Sequence, residues 1–452
     1  MNLFRLLQTR AAADRPLRVG LIGAGKFGTM FLAQAKGLAG LHVMAVADLS
    51  PARARDALRA SGWPQARFEA PSLSAAVESG ATHVTDDSMA LIAADGLEVV
   101  IEATGDPAAG LGHARAACRH GKHIVMVNVE ADVLAGALLA REASAAGLVY
   151  SLAYGDQPAL ICEQVDWARA CGLTVVAAGK GTKYLPSYHD STPETVWGHY
   201  GMSPERAAAG GMNPKMFNSF LDGTKSAIEM AAVANATGLA APAAGLGFPP
   251  AHVDDLAEIL KPRGEGGTLE AKGQVEVVSC LERDGGPIDR DLRWGTYVVF
   301  EAPGDYTARC FQEYGLVTDK SGRYSALYRP YHLIGLELPV SVLSAALRGE
   351  PTGAPEGFRA DVAAVAKRDL AVGETLDGEG GACVWGRLLP AAASLAQGAL
   401  PIGLAHGIAV TRPVAKGEIL TTQDVDLETG SSALAIRREM ETAFAPGLAA
   451  AQ

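Results

Sequence analysis

The stretch that decides the fold of the first part of the chain is Arg18-Val19-Gly20-Leu21-Ile22-Gly23-Ala24-Gly25-Lys26-Phe27-Gly28. A short apolar run, typical of a buried β-strand, leads into a G-x-G-x-x-G turn, and residues 29–35 continue with the apolar spacing of a helix. A second apolar run, residues 41–47, ends in Asp48. This order of strand, turn, helix and strand, with a carboxylate at its end, predicts a dinucleotide-binding βαβ unit.

Each glycine of this turn has its own task in such a unit. Gly23 permits the tight turn, Gly25 lets the backbone approach a pyrophosphate, and Gly28 lets the helix pack closely on the sheet. Asp48 follows at about the spacing, roughly 20 residues, at which a carboxylate accepts a hydrogen bond from the adenosine ribose. The alternative is a glycine-rich turn without a ligand. The residues expected to contact the dinucleotide here are Gly23, Ala24, Gly25, Lys26, Phe27 and Gly28.

The sequence leaves the choice between NAD and NADP open. Asp48 favours NAD, because a carboxylate repels a 2′-phosphate. Ser50, Arg53 and Arg55 follow closely and could neutralise that phosphate, although two arginines on a helix also suit a solvated face.

Two further turns follow apolar strands at residues 99–101 and 123–127. Ligands of a doubly wound sheet bind outside the carboxyl ends of its strands, so polar residues at these ends are expected near the nicotinamide and its ribose. Ordinary loop polarity is the simpler interpretation of the same residues. The expected contacts are Thr104, Gly105, Asn128 and Glu130.

Charge and composition exclude several classes of protein. The chain has 452 residues and a formal net charge of −11, which argues against a nucleic-acid or anionic-membrane binder. Its six cysteines show no Cys-x-x-Cys spacing, and no apolar window reaches the roughly 18 residues of a membrane span. Because no secretory signal is recognisable either, we expect a soluble cytoplasmic protein without nucleic-acid or membrane partners.

The alternation of strands and helices predicts an α/β protein with several domains. Residues 1–157 are expected to form a Rossmann domain with a doubly wound parallel sheet. Residues 158–335 are expected to form an α+β catalytic and dimerisation domain with a mixed sheet. A helix near 336–348 is expected to pack back onto the first domain, and residues 358–452 to form a small β-rich domain.

The last part of the chain contains a weak internal repeat. Ala366–Leu376 matches Val410–Leu420, and each copy has a basic residue, an apolar position, a glycine followed by glutamate, and a leucine. This pattern resembles the SAF-type β-clip module, a small β-rich domain.

Two stretches suggest a reaction site. The first, Gly179-Lys180-Gly181-Thr182-Lys183-Tyr184, is expected to leave a strand as a turn. Ammonium groups and backbone N–H groups in that turn suit a substrate phosphate or carboxylate. A solvent-exposed basic turn is the alternative.

The second stretch, residues 213–238, is expected to be one long helix. On such a helix Asp222, Lys225 and Glu229 form one stripe, in which two carboxylates hold and tune an ammonium for proton transfer. Asn218 and Ser226 flank the stripe. A surface ladder of ion pairs is the alternative, although the apolar residues that follow Glu229 do not suit a surface face.

These features together resemble the homoserine-dehydrogenase superfamily, and more closely its 1-deoxy-D-xylulose 5-phosphate reductoisomerase-like class. Asn128-Val129-Glu130 departs from homoserine dehydrogenases themselves, which usually carry an Asn-Lys pair there. The stretches that match, besides the SAF-like end, are Arg18–Phe31, Val125–Leu134, Tyr154–Leu160, Ala177–Pro186 and Met216–Gly238.

The resemblance implies an NADPH-dependent enzyme, with NADH possible, that forms a homodimer and uses a divalent cation such as Mg²⁺ or Mn²⁺. The implied reaction converts 1-deoxy-D-xylulose 5-phosphate to 2-C-methyl-D-erythritol 4-phosphate. Lys180 and Lys183, together with Thr182 or Asn218, would hold the phosphate, with Ser226 nearby. Lys225, oriented by Asp222 and Glu229, would shuttle protons. Carboxylates such as Glu130 or Asp222 would hold the cation, although no spacing identifies metal ligands.

Two other functions fit the same residues. The first is an oxidoreductase that acts on homoserine, an aldehyde or a sugar acid. The second is a dinucleotide-dependent sensor or assembly protein without turnover, which would leave Asp222 and Lys225 unexplained.

Overall fold

The structure, a computed structural model, describes residues 2–427 and 430–449. The strands are β1 (Leu17–Ile22), β2 (Leu41–Ala47), β3 (His83–Thr85), β4 (Val99–Glu102), β5 (His123–Met126), β6 (Tyr150–Leu152), β7 (Thr174–Thr182), β8 (Gln274–Ser279), β9 (Thr296–Glu301), β10 (Tyr324–Arg329), β11 (Ala360–Ala366), β12 (Thr375–Asp377), β13 (Val384–Pro390) and β14 (His406–Ala409). The helices are α1 (Leu3–Ala12), α2 (Lys26–Ala35), α3 (Pro51–Ala60), α4 (Leu73–Ser79), α5 (Ser88–Ala93), α6 (Pro107–Arg119), α7 (Val129–Ala131), α8 (Ala137–Ala145), α9 (Gln157–Ala170), α10 (Val196–His199), α11 (Pro204–Ala209), α12 (Pro214–Leu221), α13 (Thr224–Thr237), α14 (Leu256–Ile259), α15 (Asp305–Glu313), α16 (Pro339–Arg348), α17 (Ala391–Gln397) and α18 (Ser432–Ala449).

The chain divides into two compact units. The first comprises the residues up to Leu160 together with Leu333–Glu356 and Ile436–Met440, and so contains α16. The second comprises Ile161–His332, Gly357–Ala435 and the residues from Glu441. The segment expected to be a separate β-rich domain therefore shares a unit with the predicted catalytic domain. Among the described residues, no helix combines the length and apolar content needed to cross a bilayer.

The first unit is built on a six-stranded parallel sheet in the order β3-β2-β1-β4-β5-β6. Apolar residues of β1, β2 and β4 pack with α1, α2, α3 and α16 in one buried cluster, because parallel strands are covered on both faces and must be apolar throughout. The strand order reverses between β1 and β4, which pair directly. This confirms the Rossmann-like parallel sheet, and it places the ligand crevice of such sheets at the ends of β1 and β4.

The second unit contains a mixed sheet in the order β10-β9-β7-β8, where β7 is parallel to β8 and antiparallel to β9. The mixed sheet is confirmed, but the turn expected from Gly179 onward is wrong, since β7 continues to Thr182. A Cβ atom on Gly179 would lie 1.7 Å from the Glu276 carbonyl oxygen, and one on Gly181 would lie 2.0 Å from that of Leu292. Gly179 thus allows close approach to the backbone of β8, and Gly181 allows close approach to the loop before β9.

The helix expected over residues 213–238 is broken. Gly223 has φ +91° and separates α12 from α13, with Asp222 at the end of α12. The expectation of a continuous stripe of Asp222, Lys225 and Glu229 is therefore wrong. A left-handed residue interrupts the 3.6-residue period, and only Gly takes this conformation at low cost.

The internal repeat of the C-terminal segment pairs with itself. Leu370 and Val414 occupy equivalent positions in the two copies, and each donates its backbone N–H to the carbonyl oxygen of the other, at 2.8 and 3.1 Å. The equivalent glycines Gly373 and Gly417 have φ +88° and +86°. The two copies are thus related by a local two-fold arrangement next to the β11–β13 and β12–β14 ladders. Identity with the SAF module stays a prediction.

The break at Gly223 can be tested by stability. We expect Gly223→Ala to lower the free energy of unfolding by about 2–3 kcal/mol, because Ala disfavours positive φ and its Cβ would lie 3.2 Å from the His189 ring. Gly238→Ala, at φ +73° with only ordinary contacts, should cost about 1 kcal/mol. Urea unfolding of both variants measures this. In a continuous helix Gly223→Ala would instead stabilise by about 1 kcal/mol.

Candidate functional site

The glycine-rich turn of the first unit forms a cradle in front of α2. Gly23 has φ +99°, and a Cβ there would lie 2.4 Å from the Ala103 carbonyl oxygen and 2.9 Å from the Thr104 nitrogen. A Cβ on Gly28 would lie 2.4 Å from the Gly23 carbonyl oxygen, whereas one on Gly25 would have no atom within 4 Å among the described residues. Gly23 and Gly28 are therefore required for close packing of the protein's own backbone. Gly25 leaves room at the helix N-terminus, which fits a pyrophosphate.

Asp48 is bound on both carboxylate oxygens by its own chain. Its Oδ2 accepts from the Ala24 backbone N–H at 2.9 Å, and Oδ1 accepts from the Ser50 N–H at 2.9 Å. Arg53 adds an ion pair at 2.7 Å. Burial raises the pKa of Asp48, but the hydrogen bonds from Arg53, Ser50 and Ala24 outweigh it, so the pKa is lowered and the carboxylate stays ionised.

This hydrogen-bond network determines which side-chain groups of Asp48 and Arg53 are accessible to a cofactor. The Asp48 side chain is only 1% exposed, while that of Arg53 is 60% exposed. Ser50 caps α3, its hydroxyl accepting from the Arg53 N–H at 3.3 Å. The group presented at the surface is thus the Arg53 guanidinium, and Asp48 orients both that guanidinium and the glycine-rich turn. Lys26 is exposed, and Phe27 is half-buried.

The predicted nicotinamide-side residues lie at the ends of β4 and β5. Thr104 and Gly105 are exposed, and Asn128 is buried at the start of α7, where its Oδ1 accepts from the Ala131 N–H at 3.0 Å. The amide of Asn128 also donates to the Asp106 carbonyl oxygen at 2.8 Å. Glu130 is half-buried in α7 and has protein partners of its own.

A buried ion pair lies at the centre of the second unit. Lys180 of β7 pairs with Glu229 of α13, and their side chains are 7% and 4% exposed. Two hydroxyls of neighbouring elements, on Ser226 of α13 and Thr296 of β9, are buried without a hydrogen-bond partner in the described part of the chain. Lys180 is thus joined to Glu229 inside the fold. We assign it to structure rather than to an exposed phosphate site.

A second buried pair joins α12 to the C-terminal segment. The Nζ of Lys367 donates to Asp222 Oδ2, to the Ser191 carbonyl oxygen and to the Gly381 carbonyl oxygen, each at 2.7 Å. Burial raises the pKa of Asp222, and the charge of Lys367 opposes that rise. Asp222 therefore pairs with Lys367, a partner that the helix pattern did not indicate.

The side chain of Asn218 forms all of its hydrogen bonds with residues of the same region. Its Oδ1 accepts from Ser191 Oγ at 2.6 Å, and its Nδ2 donates to the carbonyl oxygens of Ser191 and Gly380 at 3.1 and 2.9 Å. With all of these groups bonded to protein and the side chain buried, Asn218 supports the fold. Its amide therefore has no free group with which to make the expected contact with a substrate phosphate.

Two cations of the second unit, Lys183 and Arg293, lie over the same tyrosine ring. Their charged groups lie 5.4 and 5.9 Å from the ring centroid of Tyr200. Burial and the nearby charge of Arg293 lower the pKa of Lys183. Lys183 donates to the His199 carbonyl oxygen, and no described residue forms an ion pair with either cation. Such a pair is suited to bind an anion.

The remaining predicted residues lie near these groups in the chain. Thr182 is half-buried at the end of β7, and Lys225 is half-buried in the first turn of α13 with protein partners of its own. Within residues 2–427 and 430–449, no group of three His, Cys, Asp or Glu side chains could hold a metal ion. The expected divalent cation is therefore unsupported, and Asp222 is already bound to Lys367.

Three further groups, Lys367, Arg293 and Glu102, belong to no catalytic or binding motif of the sequence. Lys367 lies in the C-terminal repeat at the position that Thr411 takes in the second copy, next to the repeated basic residues Arg368 and Arg412. Arg293 stands in a loop just before β9, without a motif. Glu102 closes β4 as a carboxylate in an otherwise apolar strand, and that anomaly was the one signal that could have been used.

A scan against protein-family models matches residues 155–338 to the family described as "Oxidoreductase DRL, catalytic domain". The chain is therefore an oxidoreductase, and the glycine-rich cradle in front of α2 is suited to a dinucleotide cofactor. No curated protein matches the chain.

Solved structures resemble the chain only distantly. They include a probable dehydrogenase from Thermotoga maritima, at 13% identity over 74% of this chain and 90% of that chain with a TM-score of 0.36. Another is myo-inositol dehydrogenase from Lactobacillus casei in complex with NAD(H) and myo-inositol, at 19% identity with a TM-score of 0.28. That match covers 40% of this chain and spans half the length of the inositol dehydrogenase. At these values the likeness says nothing about the substrate.

The roles of the cradle glycines can be separated. We expect Gly25→Ala to keep the wild-type melting temperature and to weaken NADPH binding at least tenfold, because its Cβ occupies only the space in front of α2. Gly28→Ala should lower the melting temperature, since its Cβ collides with the Gly23 carbonyl. Thermal unfolding and NADPH titration measure the two effects. Wild-type affinity in Gly25→Ala would contradict the cradle.

The buried pair can be tested by single and double substitution. Lys180→Met should lower the free energy of unfolding by about 3–5 kcal/mol, because Glu229 is left buried without its counter-ion. Lys180→Met combined with Glu229→Leu should recover most of that loss. Urea unfolding measures both. A double variant as unstable as the sum of its single variants would show that the two charges do not interact.

Proposed function

We propose that the chain transfers hydride between a nicotinamide cofactor and a small polar substrate that carries an anionic group, such as a sugar phosphate or a sugar acid. The observation that carries this proposal is the pair of Lys183 and Arg293 on the Tyr200 ring. Two neighbouring cations with no described carboxylate between them repel each other, and an anion relieves that repulsion.

Lys225 is our proposed proton donor. It stands in the first turn of α13, the helix that carries the buried Glu229. When bound, the nicotinamide supplies the hydride that reaches the substrate's carbonyl carbon. Lys225 then gives a proton to the carbonyl oxygen, so that an alcohol forms with its charge balanced, and the reverse transfer holds for oxidation.

The proposed cofactor is NADPH rather than NADH. The exposed guanidinium of Arg53, held in place by Asp48, is the group that a 2′-phosphate requires. Asp48 has its oxygens bound by Ala24, Ser50 and Arg53, so its repulsion of a phosphate is already balanced.

A narrower proposal is the conversion of 1-deoxy-D-xylulose 5-phosphate to 2-C-methyl-D-erythritol 4-phosphate. It is favoured by the matching sequence stretches, and the pair of Lys183 and Arg293 suits a phosphate. The family match itself names an oxidoreductase and no substrate. The homodimer likewise stays a prediction.

The decisive experiment is a substrate panel with NADPH and NADH in parallel. The panel contains 1-deoxy-D-xylulose 5-phosphate, other sugar phosphates, sugar acids, homoserine and neutral polyols, each with and without Mg²⁺. We expect turnover of an anionic substrate, preference for NADPH, and loss of turnover in Lys225→Met with cofactor affinity kept. Preferential turnover of a neutral polyol would contradict the proposal.

The anion site gives a sharper prediction. Arg293→Met or Lys183→Met should raise the KM of the anionic substrate by about 10- to 100-fold, because each removes one charge-assisted hydrogen bond worth about 1.5–3 kcal/mol. Steady-state kinetics measure this change. Lys320→Met, which removes a 90% exposed charge, is the matched control and should leave KM unchanged. An equal loss for a substrate analogue without the anionic group would refute this role.

A further inference from the structure

The buried carboxylate of Glu102 lies at the point where the parallel sheet changes strand order. Glu102 is the last residue of β4, and its side chain is 0% exposed. Its Oε1 lies 2.5 Å from the Thr104 hydroxyl, 3.3 Å from the Thr104 backbone nitrogen and 3.3 Å from His113 Nδ1. No described residue donates to its Oε2. A buried carboxyl group with one oxygen left without a hydrogen bond carries a desolvation cost.

The contacts of Glu102 determine which way the Thr104 hydroxyl points. The Thr104 hydroxyl donates to Glu102 Oε1 at 2.5 Å, so its single proton is directed at Glu102. His113 lies against the same carboxylate oxygen, with its Nδ1 3.3 Å from Glu102 Oε1 and its Nε2 2.9 Å from Ser88 Oγ. The Thr104 oxygen can then offer only its lone pairs to anything else.

Those lone pairs are weakly used inside the protein. The Asp106 backbone N–H reaches the Thr104 oxygen at 3.3 Å, and the Asn128 amide reaches it at 3.5 Å. Thr104 is exposed, and its backbone borders the position that a Cβ of Gly23 would take, at 2.9 Å. Both contacts are at or beyond the long end of hydrogen-bond distances, so a donor on a ligand that reaches the exposed Thr104 can replace one of them.

We propose that Glu102 is a positioning residue that makes Thr104 an acceptor toward the nicotinamide half of the cofactor, where it binds an N–H or O–H group. This inference rests on the proposed nicotinamide cofactor. The ligand group is a ribose hydroxyl or the carboxamide N–H of the nicotinamide. Pyrophosphate oxygens are acceptors and cannot bind to a hydroxyl whose proton is already committed. Glu102 thus acts on the cofactor only through Thr104: it binds the hydroxyl proton, so that the hydroxyl oxygen can bind only a donor group of the cofactor.

The test is a set of matched variants titrated with NADPH, and with 2′,5′-ADP, which lacks the nicotinamide half. Glu102→Met and Thr104→Val should each weaken NADPH binding about tenfold, the loss of one hydrogen bond. Glu102→Gln and Thr104→Ser keep the carbonyl acceptor and the hydroxyl, so they should bind NADPH as the wild type does. All four variants should bind 2′,5′-ADP with unchanged affinity.

The double variant separates positioning from general support of the fold. Glu102→Met added to Thr104→Val should cause no further loss of NADPH affinity, because the hydroxyl it orients is gone. Glu98→Met, which removes a carboxylate just before β4 that pairs with Arg10 at 2.9 Å, is the control and should leave NADPH affinity unchanged.

Several results would overturn the inference. These are wild-type NADPH affinity in Glu102→Met, an additional loss in the double variant, or an equal loss of 2′,5′-ADP binding. If Glu102→Met does not fold, Thr104→Val against Thr104→Ser decides, and wild-type affinity in Thr104→Val refutes the inference. A wild-type protein that binds neither NADPH nor NADH would refute the nicotinamide cofactor itself, which is a different failure.

Discussion

The close approach of two backbones at the centre of the parallel sheet is the constraint on which the first unit depends. The turn after β1 runs so near to Ala103 and Thr104 that no side chain fits at Gly23. This contact joins the ends of the two strands between which the strand order reverses, and so forms the crevice that a dinucleotide enters. It also brings Thr104, and through it the buried Glu102, to the edge of that crevice. The absence of a side chain at Gly23 thus allows the turn, the crevice and the position of Thr104 at its edge.

The second unit depends on buried charge. Lys180 with Glu229 and Lys367 with Asp222 are two ion pairs inside the protein. Burying such charges is expensive, and the cost is offset only when each charge has a partner and further hydrogen bonds. Lys367 meets this condition with three acceptors. Because both pairs are buried, their two lysines and two carboxylates are not available to contact a substrate.

The C-terminal segment belongs to the same compact unit as the mixed sheet and contributes to its hydrogen bonds. It supplies Lys367, and the Gly386 N–H donates to the Thr224 hydroxyl at 2.8 Å at the start of α13. The start of the helix that carries Lys225 is therefore held by residues more than a hundred positions later in the chain. A segment that resembles an appended module by its repeat is, within this unit, part of what holds the proposed catalytic helix in place.

The sequence by itself determined the first unit and the presence of a mixed sheet. A glycine-rich turn between an apolar strand and an amphipathic helix has few solutions, because the signals are local: period, turn glycines and a carboxylate at the strand end. The pairing of the buried charges could not be derived in this way. Asp222 and Lys225 are three residues apart, but Gly223 turns the chain between them, and the partner of Asp222 is Lys367. Likewise the local pattern marked Lys180 and Lys183 as one basic turn. Only the tertiary structure decided that Lys180 lies inside a strand against Glu229, while Lys183 stands with Arg293 on a tyrosine ring. Electrostatic partners are chosen by distance in space, which sequence spacing does not encode.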